Sequence, residues 1–191
     1  KKFFNLNNFP KVKILIVNNC EIELLEEYTF SNFSQLEILD IQSNKIESFA
    51  VNSFNGLRNL IYLNMNGNRV KIIKKRSFFG LSYLKKFDLK ENLIESIEEE
   101  GFYGLNNLTE LNLLKNKIKI IKKKSFYGLS TLQILNLRQN SIEFVEEKGF
   151  YGLFDLIELD LSTYFLKTIE KKSFSGLENL RKLDLSSNSI E

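Results

Sequence analysis

Few residues in this sequence carry reactive chemistry, and their types narrow what it can do. Histidine is absent, which removes the commonest general base, the usual zinc ligand and the near-neutral pH switch together. The one cysteine, Cys20, excludes an internal disulfide. Serines recur at fixed intervals with no histidine to activate them, so nucleophilic catalysis has no constellation to use. Neither GxxxxGK[ST] nor GxGxxG occurs, which leaves no phosphate cradle. Asp160 and Asp184 come nearest to a cation site. Calcium needs about 6–8 oxygens, however, and a solvated strand face is the simpler account. Two N-x-S/T sequons, at Asn32 and Asn107, would accept glycan in a secreted chain. The expectation is a non-enzymatic chain with no cofactor and no metal.

Composition agrees with a binding role. At 191 residues, 43% apolar and 27% charged, the chain is long enough for a core and too apolar for disorder. A net charge of +3 from 27 basic and 24 acidic residues is too balanced to predict nucleic acid or a membrane surface as partner. No apolar run approaches the ~18 residues of a membrane span.

The elements that would position any binding residue follow from a 24-residue period. Repeats 1 to 8 begin at Val12, Leu36, Leu60, Leu84, Leu108, Leu132, Leu156 and Leu180. Slots 1, 4, 6, 11, 14, 19 and 22 hold Leu, Ile, Val, Phe or Met at all 53 positions; random placement would do this about once in 10¹⁹ trials. Seven complete repeats cover 12–179, half a repeat covers 180–191, and 1–11 reads as the end of a preceding repeat, because Leu6-Asn7-Asn8-Phe9 aligns with Phe30-Ser31-Asn32-Phe33. The reading is a single array, 1–191, cut from a longer one, since solenoid ends normally carry polar caps.

Within each repeat, xxLxLxx alternates at period two and predicts a short half-buried strand. Slot 9 is asparagine at Asn44, Asn68, Asn92, Asn116, Asn140 and Asn188, where an amide can both donate to and accept from the backbone of a tight bend. Cys20 fills that slot in repeat 1 and Tyr164 in repeat 7. A phenol cannot replace the amide, so the turn at Tyr164 should bulge or turn its ring outward. Slot 19 is phenylalanine from Phe30 to Phe174, and slot 21 is glycine in six repeats, a spacing that predicts one helical or 3₁₀ turn.

This pattern, LxxLxLxxNxIxxIxxxxFxGLxx, resembles the typical leucine-rich repeat found in Toll-like receptors, Slit-type guidance proteins and chaoptin-like adhesion molecules. The Gly-x-Ile-Pro signature of the plant subclass is absent. The resemblance implies an α/β solenoid, a curved right-handed superhelix with a parallel concave β-sheet and short helical or 3₁₀ turns on the convex side. It further implies a secreted or cell-surface glycoprotein ectodomain, of innate-immune, adhesion or guidance type, that binds a protein ligand or co-receptor. The other class consistent with the residues is a scaffold arm of an intracellular signalling protein or enzyme whose chemistry lies outside this segment.

Two surfaces are candidates for contact. On the concave face, Ile14, Ile16, Ile38 and Tyr62 cluster at one end, rimmed by Gln42, Asn64 and Asn66, the composition of an interface centre; the competing account is shielding by preceding repeats. Lys86 and Lys90 continue the face into a mixed-charge middle that suits a polar protein better than phosphates. The concave binding set is therefore Ile14, Ile38, Tyr62, Asn64, Asn66, Lys86 and Lys90. On the convex side, Phe79, Tyr103, Tyr127 and Tyr151 occupy slot 20 of four consecutive repeats. They form either a stripe for homo- or hetero-dimer contact or rings lying over the next repeat's lysine stems. Beside them Lys74-Lys75-Arg76, Glu98-Glu99-Glu100 and Lys122-Lys123-Lys124 alternate in sign, so successive repeats should stack opposite charges.

Overall fold

The computed structural model describes residues 9–191. Leu6, Asn7 and Asn8, read above as part of a preceding repeat, lie outside the described residues. Eight three-residue strands, from Ile14–Ile16 to Lys182–Asp184, pair in parallel in chain order as one sheet. The register is 24 residues throughout: Leu15 faces Leu39, Leu63 faces Phe87, and Leu159 faces Leu183. On the other side, two-residue strands such as Ile72–Ile73 and Ile120–Ile121 pair in short runs. The chain is a parallel-strand solenoid.

The seven apolar slots form its interior. In repeats 3 to 6 every one of these side chains is buried, from Leu60 to Leu153. Each contributes roughly 1.5–3 kcal/mol by leaving water. The slot-19 rings stack as a continuous spine, with centroids 6.0 Å apart for Phe102–Phe126 and 5.8 Å for Phe126–Phe150. Farther out, Tyr127 and Tyr151 stack at 6.4 Å. Parallel strands sit only about 4.8 Å apart. A stack wider on one side than on the other bends, and this places the eight-stranded sheet on the concave face.

The predicted helical turns on the convex side are not helical. In repeat 5, Ser125, Tyr127 and Leu129 donate to Lys122, Lys124 and Phe126, a chain of single turns. Two left-handed residues four apart, Lys124 at φ 56° and Gly128 at φ 101°, break any helix through them. The slot-17 conformation is held from outside: the Lys124 N–H donates to the Lys148 carbonyl, and the Lys148 N–H to that of Lys172.

The asparagine ladder forms as the amide chemistry demands. Asn116 Nδ2 donates to Leu89 O and Leu113 O, both at 3.0 Å, while its Oδ1 accepts from Ile94 N–H at 3.0 Å. One side chain thus ties two repeats together. Asn44, Asn68, Asn92, Asn140 and Asn188 do the same. In repeat 1, Cys20 Sγ turns back to Asn18 O at 3.2 Å. Repeat 7 resolves its irregularity by a one-residue shift. Thr163 is fully buried, whereas Tyr164 and Phe165 are 55% and 49% exposed. The left-handed residue is Tyr164, at φ 73°, instead of the slot-8 residue that takes this role at Lys115, Gln139 and Ser187.

Candidate functional site

Slot 5 ends each concave strand. Its Asp or Asn accepts a hydrogen bond from the N–H two residues on: Asp40 from Gln42, Asn64 from Asn66, Asp88 from Lys90, Asn112 from Leu114 and Asn136 from Arg138. These are Asx turns. The column is therefore structural first and a solvated face second, and one oxygen of each side chain is already committed. Asn64 is only 8% exposed, so it offers a partner less than the sequence suggests.

The remaining side chains divide the face by charge. Lys86 Nζ lies 2.8 Å from Glu110 Oε1, and Lys182 Nζ lies 3.3 Å from Glu158 Oε2. Lys90 reaches Glu91 at 3.6 Å, a carboxylate that also holds Lys115 at 3.0 Å. Lys115, by hydrogen bond and charge, and then Lys90 keep the Glu91 carboxyl below its ordinary value. Between these pairs lies a cavity of about 350 Å³ lined by Tyr62, Lys86, Phe87, Asp88, Glu110, Leu111, Asn112, Ile134 and Asn136.

Asp88 and Asp184 hold the same slot and titrate in opposite directions. Hydrogen bonds from the Ser186 hydroxyl and N–H hold Asp184 low, at an open position. Burial pushes Asp88 up, against hydrogen bonds from Lys90 N–H and the Asn112 side chain and the Lys90 charge. Tyr62 is half-buried, and burial, then the charges of Asp88 and Asp40, raise its phenol.

Of the residues expected from sequence, the cavity gathers Tyr62 and Lys86. Ile14 and Ile16 stand apart, 57% and 63% exposed. Ile38 is half-buried beside Tyr62 in the register, and Asn66 is half-buried with its Oδ1 unpaired. Asp88, Asn112, Ile134 and Asn136 were not among the expected set. A period of Asp or Asn two residues before slot 7 carries the Asx-turn signal, yet nothing in a repeat-wise reading separates Asp88 from Asp40 or Asp160.

The convex aromatics lie against the slot-21 glycines of the next repeat, and two of them also lie under a basic side chain. A Cβ at Gly128 would lie 3.2 Å from Tyr103 Cα, and one at Gly104 would lie 3.3 Å from Phe79 Cδ2. Slot 21 is glycine because its φ lies between 95° and 108° in all six repeats; at Gly104, Gly128 and Gly152 the preceding repeat's aromatic residue also crowds a Cβ, whereas at Gly80 nothing lies within 4 Å of one. Arg76 lies over Tyr103 at 5.0 Å and Lys124 over Tyr127 at 5.6 Å; Phe79 remains exposed, and Tyr151 meets the Phe154 edge at 5.7 Å. The alternating charges pair across repeats, Lys75 and Arg76 with Glu100 and Lys124 with Glu99. Although burial pulls the other way, Lys75 and Arg76 hold the Glu100 carboxyl below its ordinary value. Glu98 and Glu146 instead accept backbone N–H groups of Lys75 and Lys123. Both sequons lie at exposed positions, and Asn107 Nδ2 donates to Ser82 O at 2.6 Å.

Among the described residues, no group of three or more His, Cys, Asp or Glu side chains could hold a metal ion, and no helix is long and apolar enough to cross a membrane. No curated protein sequence matches the chain. Among solved structures it is similar to a chain of the mouse RP105/MD-1 complex, at a TM-score of 0.82 and 25% identity over 95% of this chain and 31% of that one. It is also similar in fold to a chain of the TLR13–ssRNA13 complex, at a TM-score of 0.68 and 22% identity over 94% of this chain and 33% of that one. It spans about a third of the length of each. The leucine rich repeat family model matches residues 10–70, 68–118, 107–163 and 131–190. With the pattern, the parallel solenoid and these matches in agreement over nearly its whole length, the chain belongs to the leucine-rich repeat family.

Proposed function

We propose that this chain is a non-enzymatic protein-binding module, part of an extracellular or cell-surface ectodomain of receptor type, and that it meets its partner through the concave sheet. The observation that carries the reading is the cavity on that sheet, which joins an aromatic ring, an aliphatic side chain and polar groups on a rigid backbone. A pre-ordered array loses little entropy on association. The likeness to a chain solved in the RP105/MD-1 complex supports a protein as partner.

The same face argues against nucleic acid. Its lysines at slots 3 and 7 pair with Glu110, Glu158 and Glu91, which leaves Arg138 as the one exposed slot-7 cation without an ion pair among the described residues, and Asp88 lines the cavity with a negative charge. A phosphate-binding surface needs uncommitted cations. The convex stripe, whose rings rest on glycine and under Arg76 and Lys124, is a packing layer in this reading.

The test compares three baits: the parent protein, Tyr62→Glu on the concave face, and Tyr127→Glu on the convex face. A partner retained by the parent and by Tyr127→Glu, and lost by Tyr62→Glu, is the expected result. A partner held equally by all three rejects the concave face. Glycan at Asn32 or Asn107 in material from the native source is expected as well, and its detection would exclude a cytosolic scaffold. The glycosylated amide of Asn107 keeps one hydrogen for its bond to Ser82 O.

A further inference from the structure

We infer that the concave cavity takes the cationic head of a basic side chain, arginine or lysine, presented by an extended segment of the partner, with Asp88 as its counter-charge and Tyr62 and Ile134 flanking its aliphatic stem. The inference rests on the concave-face reading above and adds the chemistry of the contact. A volume of about 350 Å³ holds one long side chain and no folded element.

The charge balance of the cavity selects the occupant. Lys86, at its rim, is paired with Glu110 at 2.8 Å, and Lys90 turns to Glu91 at 3.6 Å. Among the described residues no lysine or arginine lies within ion-pair distance of Asp88. Its carboxylate is instead held by neutral donors, the Lys90 N–H and the Asn112 side chain. Asn112 Oδ1 takes the Leu114 N–H at 3.1 Å, which leaves its Nδ2 to face Asp88 and fixes the carboxylate in place. The cavity thus contains one positioned negative charge with no ion-pair partner among the described residues, the Lys90 ammonium acting on it only from beyond that distance while it turns to Glu91.

Its surroundings strengthen a cation's binding in two ways. Asp88 is partly withdrawn from water, and burial pushes its carboxyl up, so a charge pair formed there is less screened than one on the open surface. The Tyr62 ring supplies an electron-rich face for a guanidinium or ammonium, and apolar walls suit the methylene stem that such side chains bury. An anionic or phosphate-bearing ligand would meet Asp88 with no free lysine to offset it.

The test uses blocked tripeptides with glycine on either side of arginine, lysine, citrulline or glutamate, titrated into the protein and followed by the side-chain amide signals of Asn112 and Asn136 and the ring signals of Tyr62. Citrulline keeps the shape of arginine and removes its charge. Saturable shifts with the arginine or lysine peptide, about fivefold or more weaker with citrulline and absent with glutamate, are expected. Asp88→Asn should lose the same factor while folding normally, since asparagine already fills this slot at Asn64, Asn112 and Asn136. Equal response to arginine and citrulline, no saturable shift with any peptide, an unchanged response in Asp88→Asn, or tighter binding of a short oligoribonucleotide would each overturn the inference. If Tyr62→Glu still abolishes capture of a protein partner in that event, the concave-face reading stands and only the basic side chain is rejected.

Discussion

Thr163 Oγ1 donates a hydrogen bond to Asn188 Oδ1 at 2.9 Å, a contact that no other repeat has because no other repeat buries a slot-8 side chain. The hydroxyl enters the layer that asparagine fills elsewhere, but it cannot do an amide's work. Asn140 bonds Leu113 O and Ile118 N–H of the repeat before it; no side chain of repeat 7 serves Leu137 O and Ile142 N–H in that way. Thr163 also explains the shift. Slot 8 is left-handed in the regular repeats, and a β-branched residue resists that region, so the left-handed turn moves to Tyr164.

Restoring the ladder should therefore stabilise the protein, and two changes are needed. Tyr164→Asn alone supplies the amide but forces Thr163 toward a left-handed φ. Thr163→Gly with Tyr164→Asn removes that conflict, Gly67 being the precedent at the same slot with φ 66°. The double variant is expected to gain about 1–2 kcal/mol over the parent, with the single variant between them. Urea denaturation measures both, and a double variant no more stable than the single one would contradict the account.

The contrast between repeats 5 and 7 marks how far the sequence was legible. The period placed the strands, the seven buried slots and the slot-9 amides, because each depends on what a single side chain can bury or bond. It foresaw the outward Tyr164 ring but not that Thr163 would replace it. The convex turns carry single i→i+3 bonds that do not join into a helix, because slot 17, which is Tyr28, Asn52, Arg76, Glu100, Lys124, Lys148 and Lys172, is left-handed throughout although these residues share no turn signature. At Tyr28, Arg76, Lys124 and Lys148 the N–H donates to the slot-17 carbonyl of the next repeat, a stabilisation between stacked repeats that no local propensity carries. The site was partly legible for the same reason. Tyr62 and Lys86 stand out by type, whereas Asp88 is set apart from the other slot-5 residues only by its burial and by the pairing of the lysines around it.

Asn116 tests the ladder directly. Asn116→Leu keeps similar size but leaves Leu89 O and Ile94 N–H without their buried partners. Each unsatisfied group costs about 1–3 kcal/mol, so the variant should lose roughly 3 kcal/mol or more. Amide exchange at Ile94 should accelerate beyond the change in global stability. Unchanged protection of Ile94 would remove Asn116 from its assigned role.

Phe102 tests the spine. It is fully buried and stacks between Phe78 at 5.8 Å and Phe126 at 6.0 Å. Phe102→Ala removes both ring contacts and leaves a cavity in the middle of the array, at a cost of about 3–5 kcal/mol. Because each repeat touches only its neighbours, unfolding should begin at repeats 3 to 5. A melting curve that matches the parent's would contradict the stacking described here.

Asp88 gives the protein's clearest pH signature. Burial holds its carboxyl above the ordinary aspartate value, with the Lys90 N–H, the Lys90 charge and the Asn112 side chain pulling only partway back. The folded chain therefore binds this proton more tightly than the unfolded chain does. Above the folded pKa both states are ionised and the group weakens folding in full; below about 4 both are protonated and the penalty is gone. Asparagine, uncharged and able to keep the bond to Lys90 N–H, carries no such penalty. Asp88→Asn should thus melt above the parent at pH 7, and the difference should shrink as the pH falls through the Asp88 titration and vanish below about pH 4. Melting curves of both proteins between pH 3 and 8 measure this. A parent more stable than Asp88→Asn at pH 7 would mean that the protein already supplies the counter-charge that the proposed basic side chain is meant to bring.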